Sequence, residues 1–329
     1  MRPLAAWLRR WGISIASFVG GLLTLFVFRR GLPHVAWIVG YLLLLWLLVT
    51  VLVQVRDTLA ASDKRAHRLM LTATEYTVQS LYHAVLLFLL PAYWVATTLG
   101  SPNMLLLLLF AALTVLATFD PWYRALVRPR PWLGYVFFAV STFGALNLAL
   151  PLVGMPPFAA LLIAAWLSIV GLTPAVRRAR HWRWTTSLLV AMITAFAVAS
   201  AVGRWCVIIP PAPMFLARAE LGWNVGTLDS LVPVAGAIRA ADLHERGLVA
   251  RTAIYAPAGL RQPVEHVWRR DGQVVNVVRL TPVQGGRRDG FRTFSRKTAF
   301  PADAVGRWRV DVTTEAGQLI GRLRFRVIP

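Results

Sequence analysis

The stretch VGRWCVIIPPAP, residues 202–213, constrains this chain more than any other: an apolar run long enough to cross a bilayer ends at Pro210, Pro211 and Pro213. Proline has no backbone N–H and its ring blocks the continuing helix, so three prolines in four positions stop a helix and stiffen its exit. Upstream the sequence reads as membrane, and downstream as a water-exposed domain. Residues 1–209 are therefore predicted as a transmembrane domain and 210–247 as a proline-rich exit with a first strand and a linker. Residues 248–329 are the core of a β-sandwich whose full extent is about 213–329.

Seven apolar segments precede the prolines: 11–28, 32–55, 77–98, 104–119, 132–150, 158–172 and 185–209. A spanning helix needs about 20 apolar residues, so 104–119 and 158–172 are short. Each follows a small uncharged link, 100–103 or 151–157, of the kind that closes a tight helical hairpin. Segment 11–28 follows Arg9 and Arg10 and runs into Arg29 and Arg30 without a small-residue cleavage site, so it reads as an uncleaved signal anchor. A hydrophobic content of 57% and a mean hydropathy of +0.59 agree with a polytopic membrane protein.

Basic residues orient the spans, because Lys and Arg are retained on the cytoplasmic side during insertion. Fourteen of them fall at the amino terminus and in the loops after the second, fourth and sixth spans, against Arg29 and Arg30 in the loops on the other side. With seven spans the amino terminus is cytoplasmic and the carboxyl-terminal domain lies outside, which in a Gram-negative cell is the periplasm. Trp11, Trp94, Trp132 and Trp205 sit at span ends, as interfacial anchors do. The net charge of +21 is almost wholly arginine, and much of the excess lies in these flanking loops. A nucleic-acid partner is therefore not implied, and the bilayer is the expected one. The sole cysteine, Cys206, excludes an intrachain disulfide.

After 222–247, where patterning is weak, short runs with two-residue alternation recur at 248–255, 264–270, 273–283, 292–299, 307–313 and 318–328, and 215–221 adds a seventh. With no helical crossovers between them, they predict an all-β, immunoglobulin-like sandwich. Asp271-Gly272 is a hairpin signal because both positions of a tight turn need φ > 0. A two-residue turn there places Trp268 opposite Val275 and His266 opposite Val277. A two-residue turn at Ala316-Gly317 places Trp308 opposite Phe325 and Val310 opposite Leu323, with Asp311 opposite Arg322, Arg309 opposite Arg324 and Arg307 opposite Arg326.

The strings PVEHVWRRDGQVV, FRTFSRKTAF and GRWRVDVTTEAGQLIGRLRFRV resemble the bacterial domain of unknown function 2914 family across roughly the last 115 residues. The membrane part is similar to the domain of unknown function 5924 family. The resemblance implies a membrane-tethered envelope domain, with His266, Trp268, Arg292, Thr293, Ser295 and Lys297 as motif residues, and supplies no activity or ligand.

Three groups of residues are candidates for chemistry. Arg307, Arg309, Arg322, Arg324 and Arg326 form one charged face of the last hairpin and would bind an anionic partner, unless a neighbouring carboxylate or solvent neutralises them. Glu75, Gln79 and His83 recur on one face of the third span, as an intramembrane polar site or as interfacial residues with His83 against Asn147. His266, beside Glu265 and Asp271, lacks a nucleophile and reads as a structural histidine. No metal-binding, P-loop or dinucleotide motif is present, so no metal, cofactor or catalytic residue is expected. The sequence points to a non-catalytic inner-membrane protein whose sandwich binds an envelope protein, glycan or anionic lipid. The alternative is a transporter or integral-membrane enzyme acting among the helices.

Overall fold

A computed structural model of the chain describes residues 44–47, 49–51, 64–224, 231–234 and 236–329. The first predicted span lies outside the described residues, as does most of the second, of which 44–47 and 49–51 are helical. The chain forms two compact units. One comprises the described parts of Met1–Ala92, Leu106–Ala149 and Ala159–Arg204, and the other Tyr93–Leu105, Leu150–Phe158 and Trp205–Pro329.

The first unit is built from α1 (Arg65–Ala96), α2 (Met104–Thr118), α3 (Pro131–Leu152), α4 (Pro157–Val170), α5 (Thr173–Arg180) and α6 (Trp184–Arg204), apart from the helix ends at 93–96, 104–105, 150–152 and 157–158, which belong to the second. Pro131, Pro157 and Pro174 lie in first turns, where the missing N–H has no intrahelical role. Among the described residues, four stretches are long and apolar enough to cross a membrane: Leu69–Ala96, Pro131–Leu152, Pro157–Arg180 and Trp184–Arg204. A fifth is α2 joined to Asp120–Val127, if that pair, bent by 95°, is one span. α1 starts well before residue 77 because no Gly or Pro interrupts 65–90.

Large apolar side chains on α6 point outward while small ones point in. Ile193 is 62% exposed and Phe196 71%, whereas Ser187, Ala191, Ala195 and Ala199, one turn apart, are buried. Water would penalise that arrangement, whereas a bilayer accepts it, since lipid covers the large residues and small ones let helices approach. At another close approach, a Cβ on Gly144 of α3 would stand 2.6 Å from Phe110 of α2 and 2.8 Å from Leu89 of α1.

The second unit holds β1 (Phe215–Asn224), β2 (Leu231–Pro233), β3 (Ala237–Arg239), α7 (Ala240–Arg246), β4 (Leu248–Tyr255), β5 (Arg261–Gln262), β6 (Val264–Arg270), β7 (Gln273–Arg279), β8 (Val283–Gln284), β9 (Phe291–Lys297), β10 (Gly306–Thr314) and β11 (Leu319–Ile328). One sheet has the order β2-β1-β4-β9 and the other β3-β11-β10-β6-β7, with β5 and β8 as a separate ribbon. Only the β3–β11 pairing is parallel among those described. This is an all-β domain with one short α-helix among its described residues. β2, β3 and α7 occupy 222–247, where two three-residue strands leave too little alternation to read.

Side chains from both sheets make one core. Trp268, Trp308, Val310, Val312, Phe325 and Val327 come from the five-stranded sheet, and Leu248, Ala250 and Ile254 from β4. Trp308 and Phe325 stack with ring centroids 6.0 Å apart. Burying each such side chain contributes about 1.5–3 kcal/mol.

Two expected registers fare differently. β10 and β11 pair as the alternation predicts, from Arg307 opposite Arg326 to Asp311 opposite Arg322. The turn is not the expected two-residue one. Thr314 bonds Gln318, leaving Glu315, Ala316 and Gly317 in the loop, and a bulge at Ile320 restores the frame. Gly317 supplies the left-handed position, φ 89°. In the β6–β7 hairpin the turn is as expected, with Asp271 at φ 44° and Gly272 at φ 92°. A bulge at Val275 then shifts the pairing, so Trp268 lies opposite Asn276 and His266 opposite Val278, rather than Val275 and Val277.

Candidate functional site

Alternation along β10 and β11 puts Arg307, Arg309 and Asp311, with Arg322, Arg324 and Arg326, on the outer face of the five-stranded sheet, away from Trp308, Val310 and Phe325. β6 adds Arg269, directly opposite Arg309, so Arg269, Arg309 and Arg324 form one cross-strand row. Like charges so placed cost some tenths of a kcal/mol to about 1 each. Asp311 offsets part of this. Its carboxylate accepts from Arg322 Nε at 2.5 Å and lies 3.3 Å from Arg269 Nε and 3.5 Å from Arg309 Nε, so three guanidiniums share one buried anion. Burial holds the Arg309 guanidinium below its ordinary value, and Arg322, Arg269 and Arg324 add to that against the pull of Asp311.

The remaining arginines differ in their contacts. Arg324 Nη2 donates to the carbonyls of Leu99 and Gly100, each at 3.4 Å, in the connection from α1 to α2. Arg307 and Arg326 face each other, both exposed, and neither side chain has a hydrogen bond or ion pair with another described residue. Arg269 is not among the sequence candidates because its place in the row depends on the β6–β10 pairing, which no local pattern encodes.

The motif residues divide between the two faces of β9 and the core. Thr293, Ser295 and Lys297 point inward and are buried, while Arg292 is exposed on the outside. His266, fully buried on β6, bridges the sheets: Nδ1 lies 2.8 Å from Ser295 Oγ and Nε2 lies 3.1 Å from Thr252 Oγ1. Trp268 Nε1, a donor only, gives its proton to Ser295 Oγ at 3.2 Å. Ser295 then donates to Nδ1, leaving Nε2–H to donate to Thr252, an assignment that follows from the network. Burial pushes the His266 ring down to about 4. It also lowers Lys297, whose Nζ lies 5.2 Å from the Phe300 ring centroid. Both buried, His266 and Ser295 hold the two sheets together.

Among the helices, Glu75, Gln79 and His83 do share one face of α1, and each meets a different environment. Arg128 Nη2 lies 3.1 Å from Glu75, and Gln79 Nε2 donates to Asp120 Oδ1 at 2.7 Å and to Ala117 O at 3.1 Å. His83 and Asn147 are both buried deeper in the same unit. Asp120 opens the short helical segment Asp120–Trp122, where an acid suits the helix dipole, and the five-residue π turn Tyr123–Val127 follows. Glu75, Tyr82, Tyr123, Arg128 and Tyr135 line a cavity of about 130 Å³. Among the described residues no three His, Cys, Asp or Glu side chains come together to hold a metal.

Helices suited to span a membrane, followed by an all-β domain with an arginine-rich outer face, define the class: a helical membrane protein carrying a carboxyl-terminal β domain. The chain belongs to the Family of unknown function (DUF5924), which it matches over residues 2–250. Residues 261–327 match the Protein of unknown function (DUF2914) family. The two matches divide the β unit, since β1 to β4 fall largely in the first and β5 to β11 largely in the second. No curated protein matches the chain.

Proposed function

We propose that this is a non-catalytic protein of the bacterial inner membrane, with seven spans, a cytoplasmic amino terminus and a periplasmic, immunoglobulin-like β-sandwich that binds anionic lipid headgroups. In this reading residues 1–209 are the membrane domain, 210–247 the exit and 248–329 the sandwich core. The observation that carries it is the contact of Arg324 with the carbonyls of Leu99 and Gly100. That connection joins two apolar helices and so lies at a membrane boundary, which brings the same face, with exposed Arg307 and Arg326, to headgroup depth. Planar guanidiniums suit bidentate contact with phosphate.

Native mass spectrometry of the detergent-purified chain tests this reading. Phosphatidylglycerol should be retained over phosphatidylcholine, less so as salt rises, and Arg307→Gln with Arg326→Gln should remove the preference. Equal retention of both lipids, or a preference untouched by the double substitution, would reject it.

A second reading, transport or catalysis among the helices, draws on the cavity beside Glu75 and Arg128. Glu75→Gln and His83→Gln should then abolish function without loss of protein from the membrane; two wild-type phenotypes would retire it.

A further inference from the structure

The four-stranded sheet carries a second concentration of arginine that neither reading uses. On its outer face Arg218 of β1, Ala253 of β4 and Arg292 of β9 form one cross-strand row. Neighbouring strands lie about 4.8 Å apart, so the two arginines stand about 10 Å from each other with only a methyl group between them. In the next row Glu220 pairs with Arg251. The loop before β9 adds Arg288 and Asp289, and these side chains enclose a groove of about 580 Å³.

Charge in the groove is unbalanced. Glu220 accepts from Arg218 Nε at 2.7 Å and from Arg251 Nη2 at 2.6 Å, and these contacts, Arg251 foremost, hold its carboxyl below the usual range. One carboxylate thus serves two guanidiniums. Arg288 and Arg292 are exposed, and neither side chain has a hydrogen bond or ion pair with a described residue. The fold does not need Arg292: the inward positions of its strand are filled by Thr293 and Ser295.

Size and donor pattern define what would fit. A bare oxyanion would leave most of the groove empty, since pockets of about 300–1,000 Å³ take whole small molecules. Guanidiniums on two sides match an acidic group, and the Asp289 carboxylate is an acceptor for hydroxyl groups. One step along the same face, Phe215 and Tyr255 stack on each other with ring centroids 4.7 Å apart, an apolar border beside the groove that a sugar's C–H edge would meet. We propose that this groove is a binding site for an acidic sugar, a hydroxylated ring bearing a phosphate or a carboxylate, with Arg292 and Arg288 as its principal anion ligands.

The test is titration calorimetry on the full chain in uncharged detergent, with glucose 1-phosphate, glucuronate, inorganic phosphate and glucose as probes. At least one acidic sugar should bind saturably, and which one does assigns the acid as phosphate or carboxylate. Inorganic phosphate should bind about tenfold or more weakly, and glucose not measurably. Loss of a charge-assisted contact in Arg292→Gln should weaken binding about tenfold, while Arg261→Gln, on the β5–β8 ribbon, should leave it unchanged. Arg288→Gln provides a second variant at a position without fold contacts. No saturable binding of either acidic sugar would overturn the proposal. So would affinities unchanged in both groove variants, or inorganic phosphate binding as tightly as the sugars.

Discussion

His266 Nδ1 lies 2.8 Å from Ser295 Oγ, and that contact ties β6 of one sheet to β9 of the other. Burial holds the ring at about 4 against an ordinary 6.5, so the folded domain keeps it neutral where the unfolded chain would take up a proton. For a depressed histidine, the stability present above pH 6.5 is lost as pH falls toward 4. The full loss amounts to about 3 kcal/mol at 1.36 kcal/mol per unit. Hydrogen exchange in β6 and β9 of the intact chain should accelerate across that window beyond its intrinsic pH dependence. His266→Gln should be less protected at pH 7 and nearly flat below it. An unchanged pH slope in the variant would assign the acid sensitivity elsewhere.

Asp311 is the internal anion of the arginine row, so its loss should matter more than loss of any one arginine. Asp311→Asn leaves Arg322, Arg269 and Arg309 around a neutral amide and should destabilise the domain by about 3 kcal/mol, the scale for breaking a buried pair. Arg309→Gln removes a like-charge neighbour together with a weakly aligned partner and should change stability by less than about 1 kcal/mol. Opening free energies across β10 and β11 by hydrogen exchange give the comparison. Equal losses in the two variants would mean that Asp311 does not organise the cluster.

What the sequence conveyed depended on how far its patterns reach. Alternation in β10 and β11 is strong enough to set the register even though the turn has three residues and not the expected two, because the bulge at Ile320 offsets the third. In β7 nothing distinguishes Val275 from Val274 and Val277, all apolar and exposed on an edge strand, so its bulge had no signature. FRTFSRK has no apolar face by alternation, since Phe291 shares one face with Thr293, Ser295 and Lys297, and Phe294 the other with Arg292 and Arg296. The structure turns Thr293, Ser295 and Lys297 inward, where His266 and Trp268 give Ser295 polar partners across the sheets. Apolar length revealed the helices, while the Gln79–Asp120 and Glu75–Arg128 contacts join residues far apart in sequence, which no local period encodes.

Gly144 should tolerate no side chain. A Cβ there would come within 3 Å of Phe110 and Leu89, and both are fully buried, so neither can swing aside. Overpacking of this kind costs about 1–3 kcal/mol. Gly144→Ala should lower the midpoint of unfolding as sodium dodecyl sulfate is titrated against mild detergent. Gly134→Ala, where a Cβ meets nothing within 4 Å, should not.

The same connections that pack with the β domain predict where the carboxyl terminus lies. Asn103, between α1 and α2, donates to Leu319 O at 3.5 Å; Arg324 reaches Leu99 and Gly100; and Cys206, just past α6, donates to Ala316 O at 3.0 Å. Residues in mutual contact share one side of a membrane, so these two helix ends belong on the side of the β domain. Neither carries the basic clusters found at 64–68, 124–130 and 177–183, which the positive-inside rule assigns to the opposite ends and, in the proposed topology, to the cytoplasm. Contact and charge thus both favour the proposed orientation. Alkaline phosphatase fused after Pro329 should be active in cells and a fluorescent protein there dark, while fusions after Arg130 should show the reverse. Fluorescence at the carboxyl terminus would invert the topology and, with it, remove the outer-leaflet headgroups from reach of Arg307 and Arg326.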